Sequence, residues 1–477
     1  LGVPAGIANK NRYFYRSPTG TFGITTPING EPATHGNGST IGFLAQSPEQ
    51  ADACHAAGVA NGGVTCEDPP GWREGPGGKL YLAYLRDPEV SEAVDFAHYY
   101  ARLARGLDAV EGARAVPVRL TLVIPPWNFP VAIPVGGVLA ALGAGSPVVF
   151  KPAPQSERTG AVAWELIVQG LRDSGLFDDG GPLAGHDPAD LVRLVTLADE
   201  DEAEVGAALV TDPAVERLIL TGSWDTARLF KGMRPDLHLL AETSGKNAVI
   251  VTPSADLDLA TKDVVQSAFG HAGQKCSASS LVVLVGSVAT SERFHRQLLD
   301  AASSLHVAHP DDPRAQMGPV IEEPGEKLRR GLTELGPGER WALRPRQLDE
   351  TGRLWSPGIR SGVRPGADAH LTEYFGPVLA VTTFKTEEEA LALANDTLYG
   401  LGAGVWARSG TTAYKAGRAI QAGRVWVNQY HTYPAHAAFG GYKQSGIGRE
   451  THLMMLGHYQ QTKNLLVSYS EDKLGFF

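Results

Sequence analysis

Apolar positions recur along this chain at two periods, and the rhythm changes near residue 87. Before it, short alternating runs predict strands at 39–44 and 80–85. Between them a helix is predicted at 48–59, with Ser47 as its N-cap and Gly62 and Gly63 past its end. Asp87 and Pro88 then open a longer helix. Val90, Val94, Ala97, Ala101 and Ala104 follow at helical spacing, and Gly106 stops it. Beyond this point apolar strands at 118–124, 147–150, 217–221, 248–251, 281–285 and 378–383 alternate with amphipathic helical stretches. That alternation predicts a parallel, doubly wound α/β sheet. The uncharged run 131–150 has the length of a membrane span. Pro134, Pro147 and four glycines instead mark it as a buried helix followed by a buried strand. Residues 336–338 and 365–366 read as loops.

Composition narrows the function. The 477 residues suffice for two or three domains, with 43% hydrophobic and 20% charged residues. The 56 Gly and 32 Pro follow no short period, which excludes collagen and favours a loop-rich α/β protein. A net charge of -10 argues against a nucleic-acid or membrane-surface partner. Cys54, Cys66 and Cys276 form no C-x-x-C, so zinc ribbons and thioredoxin-like motifs are out and a reducing, cytoplasmic setting is expected. No signal peptide is visible, and a start at Leu1 reads as a trimmed terminus.

Several residues carry candidate chemistry, each with a plainer reading beside it. Cys276 has small neighbours that leave a thiol accessible, and Lys275 next to it lowers a thiol pKa; a buried core cysteine is the plainer reading. Glu242 follows an apolar strand and precedes a Gly-containing turn. It is a general base raised by desolvation or a solvated strand-end carboxylate. Asn128, held among Pro125, Pro126 and Pro130, is a rigid oxyanion donor or a turn residue bonding its own backbone. Lys151 stands just past a strand, where doubly wound sheets meet ligands. Gly222 and Ser223 open a helix whose N-terminus suits a pyrophosphate, although the run is not G-x-G-x-x-G.

Taken in order, these stretches resemble the aldehyde dehydrogenase superfamily from about residue 88 onward. The likeness rests on P-W-N-F-P (126–130), K-P-A (151–153), T-G-S (221–223), E-T-S-G-K-N (242–247), G-Q-K-C (273–276), E-Y-F-G-P-V (373–378) and F-G-G-Y-K-Q-S-G (439–446). Cys276 lies 34 residues after Glu242 and 97 before Glu373, spacings that suit the family. The resemblance implies a Rossmann-like cofactor domain at 89–244, a second α/β catalytic domain at 245–444, and a C-terminal tail at 445–477 with an oligomerisation strand near 465–469. It implies NAD as cofactor, with NADP an alternative because Pro154 stands where many NAD-preferring members carry Glu. It further implies Cys276 as nucleophile, Asn128 on the oxyanion and Glu242 activating water. Trp127, Lys151, Gly222, Ser223, Glu373 and Phe375 fall on the cofactor, and no site metal is implied. The expected partners are a small aldehyde and further copies of the chain.

The resemblance is not uniform. Residues 88–380 look closest to Δ1-pyrroline-5-carboxylate (glutamate semialdehyde) dehydrogenases, in which Ser277 would meet the substrate carboxylate. The Gly-containing turn that shares that role is missing from 431–439, where Tyr430 and Tyr433 would line an apolar tunnel. From 385 onward the chain is similar to aliphatic aldehyde dehydrogenases. Residues 15–88 look like part of a glyoxalase/vicinal-oxygen-chelate module, and His35 with Glu67 is too small a set for a metal site. The competing reading of such a patchwork is a non-catalytic fusion or chimeric scaffold that keeps the fold.

Overall fold

The computed structural model describes residues 7–9, 12–17, 20–25, 39–42, 47–60, 64–65, 69–75, 78–83, 85–86, 88–107, 109 and 115–461 without 199 and 313. Two parallel-dominated sheets organise the molecule. Their strands are β1 (Thr121–Ile124), β2 (Val148–Phe150), β3 (Val192–Leu194), β4 (Arg217–Thr221), β5 (Leu239–Glu242), β6 (Asn247–Val251), β7 (Ser279–Val285), β8 (Arg340–Leu343), β9 (Gly358–Ser361), β10 (Val378–Phe384), β11 (Gly402–Trp406), β12 (Arg424–Val427) and β13 (Gly446–Ile447). The first sheet runs β3-β2-β1-β4-β5-β13, and the second β8-β9-β10-β7-β6-β11-β12. Only β13 and β8, each at an edge, run antiparallel to their neighbours. The α/β fold expected from the alternating pattern is therefore present, as two sheets. The second buries Val282, Val283 and Leu284 between β6 and β10, because a strand covered on both faces needs apolar residues at every position.

Sheet one is flanked by α1 (Pro88–Leu107) and α2 (Ala132–Gly143). Phe96 and Tyr100 of α1 pack in one core with Val138 and Ala140 of α2. The Glu89 carboxylate accepts from the backbone N–H groups of Val131 (2.7 Å) and Ala132 (3.0 Å), so α1 supplies the anion at the start of α2. The apolar run 131–150 is α2 followed by β2. No helix among the described residues is long and apolar enough to cross a membrane.

Two expectations shift. Residues 118–124 do not form one strand: β1 begins at Thr121, while Val118 N–H donates to Tyr459 O (2.9 Å) and Val116–Pro117 pairs with Gln460–Gln461. Further back, the helix Pro48–Ala60 has the expected cap, with Ser47 Oγ accepting from Gln50 N–H at 3.2 Å. The expected strand at 80–85 appears as Gly78–Leu82, paired antiparallel with Gly71–Gly75. His35, Glu67, Asp87 and the tail strand at 465–469 lie outside the described residues.

Candidate active site

The carboxyl end of the first sheet meets the amino end of the second where β5 ends at Glu242 and β6 begins at Asn247. Gly245 lies in the link between them, and a Cβ there would stand 2.6 Å from the Cys276 carbonyl oxygen, which requires glycine. Buried Asn247 explains that close approach. Its Nδ2 donates to the carbonyls of Cys276 (2.7 Å) and Ala278 (2.9 Å), while its Oδ1 accepts from Gly402 N–H (2.9 Å). The Cys276 backbone is thus moored to β6 and β11.

The segment leading to the cysteine is strained. His271 and Ala272 both take left-handed φ, at 58° and 51°. Asn128 reaches over from the first sheet, and its Nδ2 donates to the Gln274 carbonyl at 2.8 Å. This excludes the reading of Asn128 as a turn residue bonding its own backbone, and leaves its second N–H. The Gln274 side chain accepts from Ile321 N–H (3.0 Å) and donates to Phe375 O (3.4 Å). Asn247 and Gln274 were not singled out from the sequence, although both belong to motifs quoted above.

The Cys276 thiol donates to Glu242 Oε1 at 3.2 Å. Glu242 is 3% exposed, which removes the reading of a solvated carboxylate. Burial, and then the nearby Glu450 carboxylate, raise its pKa. Burial likewise holds the Cys276 thiol well above its ordinary range, with the Glu242 charge adding to it. Lys275 and Cys276 attract each other as charged groups, as expected, but burial outweighs that attraction at the thiol. Lys275 is itself desolvated and stands over the Phe129 ring at 5.4 Å.

A pocket opens from Cys276, Glu242 and Ser277, walled by Phe96, Phe129 and Phe439. Three charged residues unmarked by the sequence reading also line it: Glu92 of α1, Arg424 of β12, and Glu450. Burial raises Glu92 to about 7 and raises Glu450 as well. The Arg424 guanidinium donates to the carbonyls of Ala437 and Ala438 (3.0 Å each), tying down the loop beyond β12. Ser277 Oγ lies 2.7 Å from the Tyr433 hydroxyl. Tyr433 lines the pocket as expected. Tyr430 does not: it packs on Trp426 with ring centroids 4.5 Å apart and donates to Ser277 O at 3.1 Å.

The residues expected on the cofactor fall at strand ends and in the turns that follow them. Ser223 is the N-cap of α3 (Trp224–Met233), its Oγ accepting from Thr226 N–H at 3.0 Å. Gly222 N–H donates to Glu242 O (3.0 Å), linking this turn to the carboxylate residue. Gly222 and Ser223 are exposed, and a Cβ on Gly222 would meet only Leu220 within 4 Å, so the helix N-terminus is open to an anion. Lys151 is buried past β2 and bonds Glu202 Oε1 at 2.6 Å. Glu373 Oε1 accepts from Gly245 N–H at 2.8 Å, and burial raises its pKa. Trp127 meets Phe375 edge-to-face at 5.8 Å, with Phe375 held at φ 60°. An exposed helix end after β4 and a buried lysine after β2, both at the carboxyl ends of strands of one sheet, fit a dinucleotide.

The aldehyde dehydrogenase family model matches residues 78–465. The chain belongs to the aldehyde dehydrogenase family. An acetaldehyde dehydrogenase of Cupriavidus necator is 37% identical over 412 residues, covering 81% of this chain and 76% of the relative. A solved structure of Proline Utilization A from Corynebacterium freiburgense superposes with TM-score 0.73 at 42% identity; the match covers 81% of this chain and 39% of that longer one. A 1-pyrroline-5-carboxylate dehydrogenase from Thermus, solved with bound NAD, gives TM-score 0.68 at 32% identity, covering 79% of this chain and 73% of that one. As an aldehyde dehydrogenase, the chain has the α/β fold of these relatives and catalyses NAD(P)-dependent oxidation of an aldehyde to a carboxylic acid. Both likenesses read from the sequence, to pyrroline-5-carboxylate dehydrogenases and to aliphatic aldehyde dehydrogenases, recur among these relatives.

Proposed function

We propose that Cys276 forms the thioester and Glu242 hydrolyses it. The observation that carries this reading is the 3.2 Å contact from Sγ to Oε1 inside an apolar pocket. Glu242 accepts the thiol proton as Sγ bonds the aldehyde carbon. The second N–H of Asn128 steadies the oxygen that becomes negative. Nicotinamide, when bound, supplies the hydride acceptor. Lys151, Gly222, Ser223, Glu373, Phe375 and Trp127 hold the cofactor from its adenosine end to its ring. Once that first proton has passed to solvent, the Glu242 carboxylate takes a proton from water, whose oxygen attacks the thioester carbon and releases the acid and the thiolate. The two sheets act as cofactor unit (89–244) and catalytic unit (245–444), and the tail (445–477) joins copies of the chain in the cytoplasm. The likeness of 15–88 to a glyoxalase-type module is a structural appendage in this reading.

For the substrate we infer a short aliphatic aldehyde at least as good as glutamate semialdehyde. Ser277 Oγ is already engaged by Tyr433, and Arg424 is committed to backbone carbonyls. Glu92, Glu242 and Glu450 line the same pocket. A substrate carboxylate there would lose hydration without gaining enough donors. The test is NADH formation across an aldehyde panel with wild type and Cys276→Ala. Aldehyde-dependent NADH that Cys276→Ala abolishes supports the mechanism, and a preference for the semialdehyde of a hundredfold or more overturns the substrate assignment.

A further inference from the structure

Lys151 and Glu202 follow neighbouring strands at the edge of the first sheet. β2 ends at Phe150 and pairs in parallel with β3, with Val195 N–H closing onto Phe150 O at 2.9 Å. Lys151 follows the first of these ends. Glu202 follows the second by a short loop and opens the helix Glu202–Thr211. Their ion pair is lopsided in exposure: the lysine side chain is 8% exposed and the glutamate 41%. Lys151 is therefore a buried clamp holding a carboxylate that is partly open to solvent. Only Oε1 of Glu202 is engaged; among the described residues Oε2 has no partner. Pro154, in the turn after Lys151, carries no side-chain group that can accept a hydrogen bond.

In doubly wound sheets a nucleotide lies across the carboxyl ends of the strands, with its pyrophosphate at a helix N-terminus and an acidic residue on the ribose 2′-hydroxyl. The exposed turn at Gly222 and Ser223 lies at the carboxyl end of β4, in the same sheet. A carboxylate held at the β2–β3 edge can accept hydrogen bonds from a ribose diol, which strengthens binding. The same carboxylate repels a 2′-phosphate, which carries close to two negative charges. We propose that Glu202, clamped by Lys151, binds the adenosine ribose and excludes its 2′-phosphate, so that the protein selects NAD over NADP. This rests on the reading that the cleft at Lys151 and Gly222 holds the dinucleotide.

Nucleotide binding without aldehyde tests it, by calorimetry on the full chain with NAD and NADP. Wild type should bind NAD at least tenfold more tightly than NADP. Glu202→Gln should bring the two affinities within threefold, mainly by tighter NADP binding, with an unchanged Tm since the side chain is partly exposed. Adenosine 5′-monophosphate and adenosine 2′,5′-bisphosphate should repeat the contrast, which places the effect at the ribose. Equal or tighter NADP binding by wild type, binding of neither nucleotide, or an unchanged ratio in Glu202→Gln would overturn the assignment. Aldehyde turnover is a separate readout. A preserved binding ratio in a protein that oxidises no aldehyde sinks the mechanism above and leaves the ribose contact standing.

Discussion

Cys276 Sγ and Glu242 Oε1 lie 3.2 Å apart, at the junction of the two sheets, and burial raises the pKa of both groups. The reacting form has lost one proton from this pair, and the pair as a whole sets the pH at which that happens. The kcat/KM for an aldehyde should therefore rise with pH through and above neutrality. A pH profile from 5.5 to 9.5 checks this. A plateau already reached at pH 5.5 would mean that the contact does not govern reactivity.

Cys276→Ala should lower turnover by at least a thousandfold, since the attacking atom is gone, while the affinity for NAD stays within about threefold of wild type. Cys54→Ala, on the exposed face of its helix, should retain full activity. NADH formation and nucleotide titration on the same preparations separate chemistry from binding.

Asn247→Ala should be destabilising although the residue never touches substrate. The change strands the carbonyls of Cys276 and Ala278 and the N–H of Gly402 inside the protein. Unpaired buried polar groups cost about 1–3 kcal/mol each and do not add fully, so roughly 2–4 kcal/mol is expected. Urea denaturation reads the loss, and kcat should fall with it because the Cys276 carbonyl is released.

The motif residues were legible because each motif is a local stretch whose turn geometry is written in its own glycines and prolines. Cys276, Glu242 and Asn128 fall in such stretches, and the structure brings the thiol and the carboxylate into contact and ties Asn128 to the adjoining loop. Glu92, Arg424 and Glu450 were not legible. They reach the pocket from a helix, a strand and a loop far apart in sequence, and Glu92 reads as an ordinary polar position on an amphipathic helix. Strand β11 was hidden for a related reason. It begins Gly-Ala-Gly, which local preference reads as a turn, whereas the structure uses Gly404 to admit the Tyr430 ring, 2.9 Å from where a Cβ would stand.

Glu92 makes the pocket sensitive to pH in stability as well as rate. The folded chain holds its proton more tightly than the unfolded chain, with the pKa raised from 4.5 to about 7 by burial. That preference favours folding below about pH 4.5 and is lost as pH climbs through 7. The difference amounts to roughly 3 kcal/mol. Glu92→Gln should therefore raise Tm relative to wild type at pH 8 and lose this advantage by pH 5. Identical offsets at both pH values would show that Glu92 stays hydrated.

Tyr433→Phe removes the hydroxyl that occupies Ser277 Oγ. The freed serine should raise kcat/KM for glutamate semialdehyde relative to a short aliphatic aldehyde by about three- to tenfold, the value of one added hydrogen bond. Steady-state competition between the two substrates measures the ratio directly.

Intact-protein mass spectrometry of Glu242→Gln after a single turnover tests the central claim most directly. With the thiol proton lost to solvent instead and water activation impaired, thioester formation should be slowed but not stopped, the acyl group should remain on the enzyme after NADH has formed, and peptide mapping should place it on Cys276. An enzyme that releases NADH with no acyl adduct, or one whose adduct maps to another residue, would contradict the division of labour between Cys276 and Glu242.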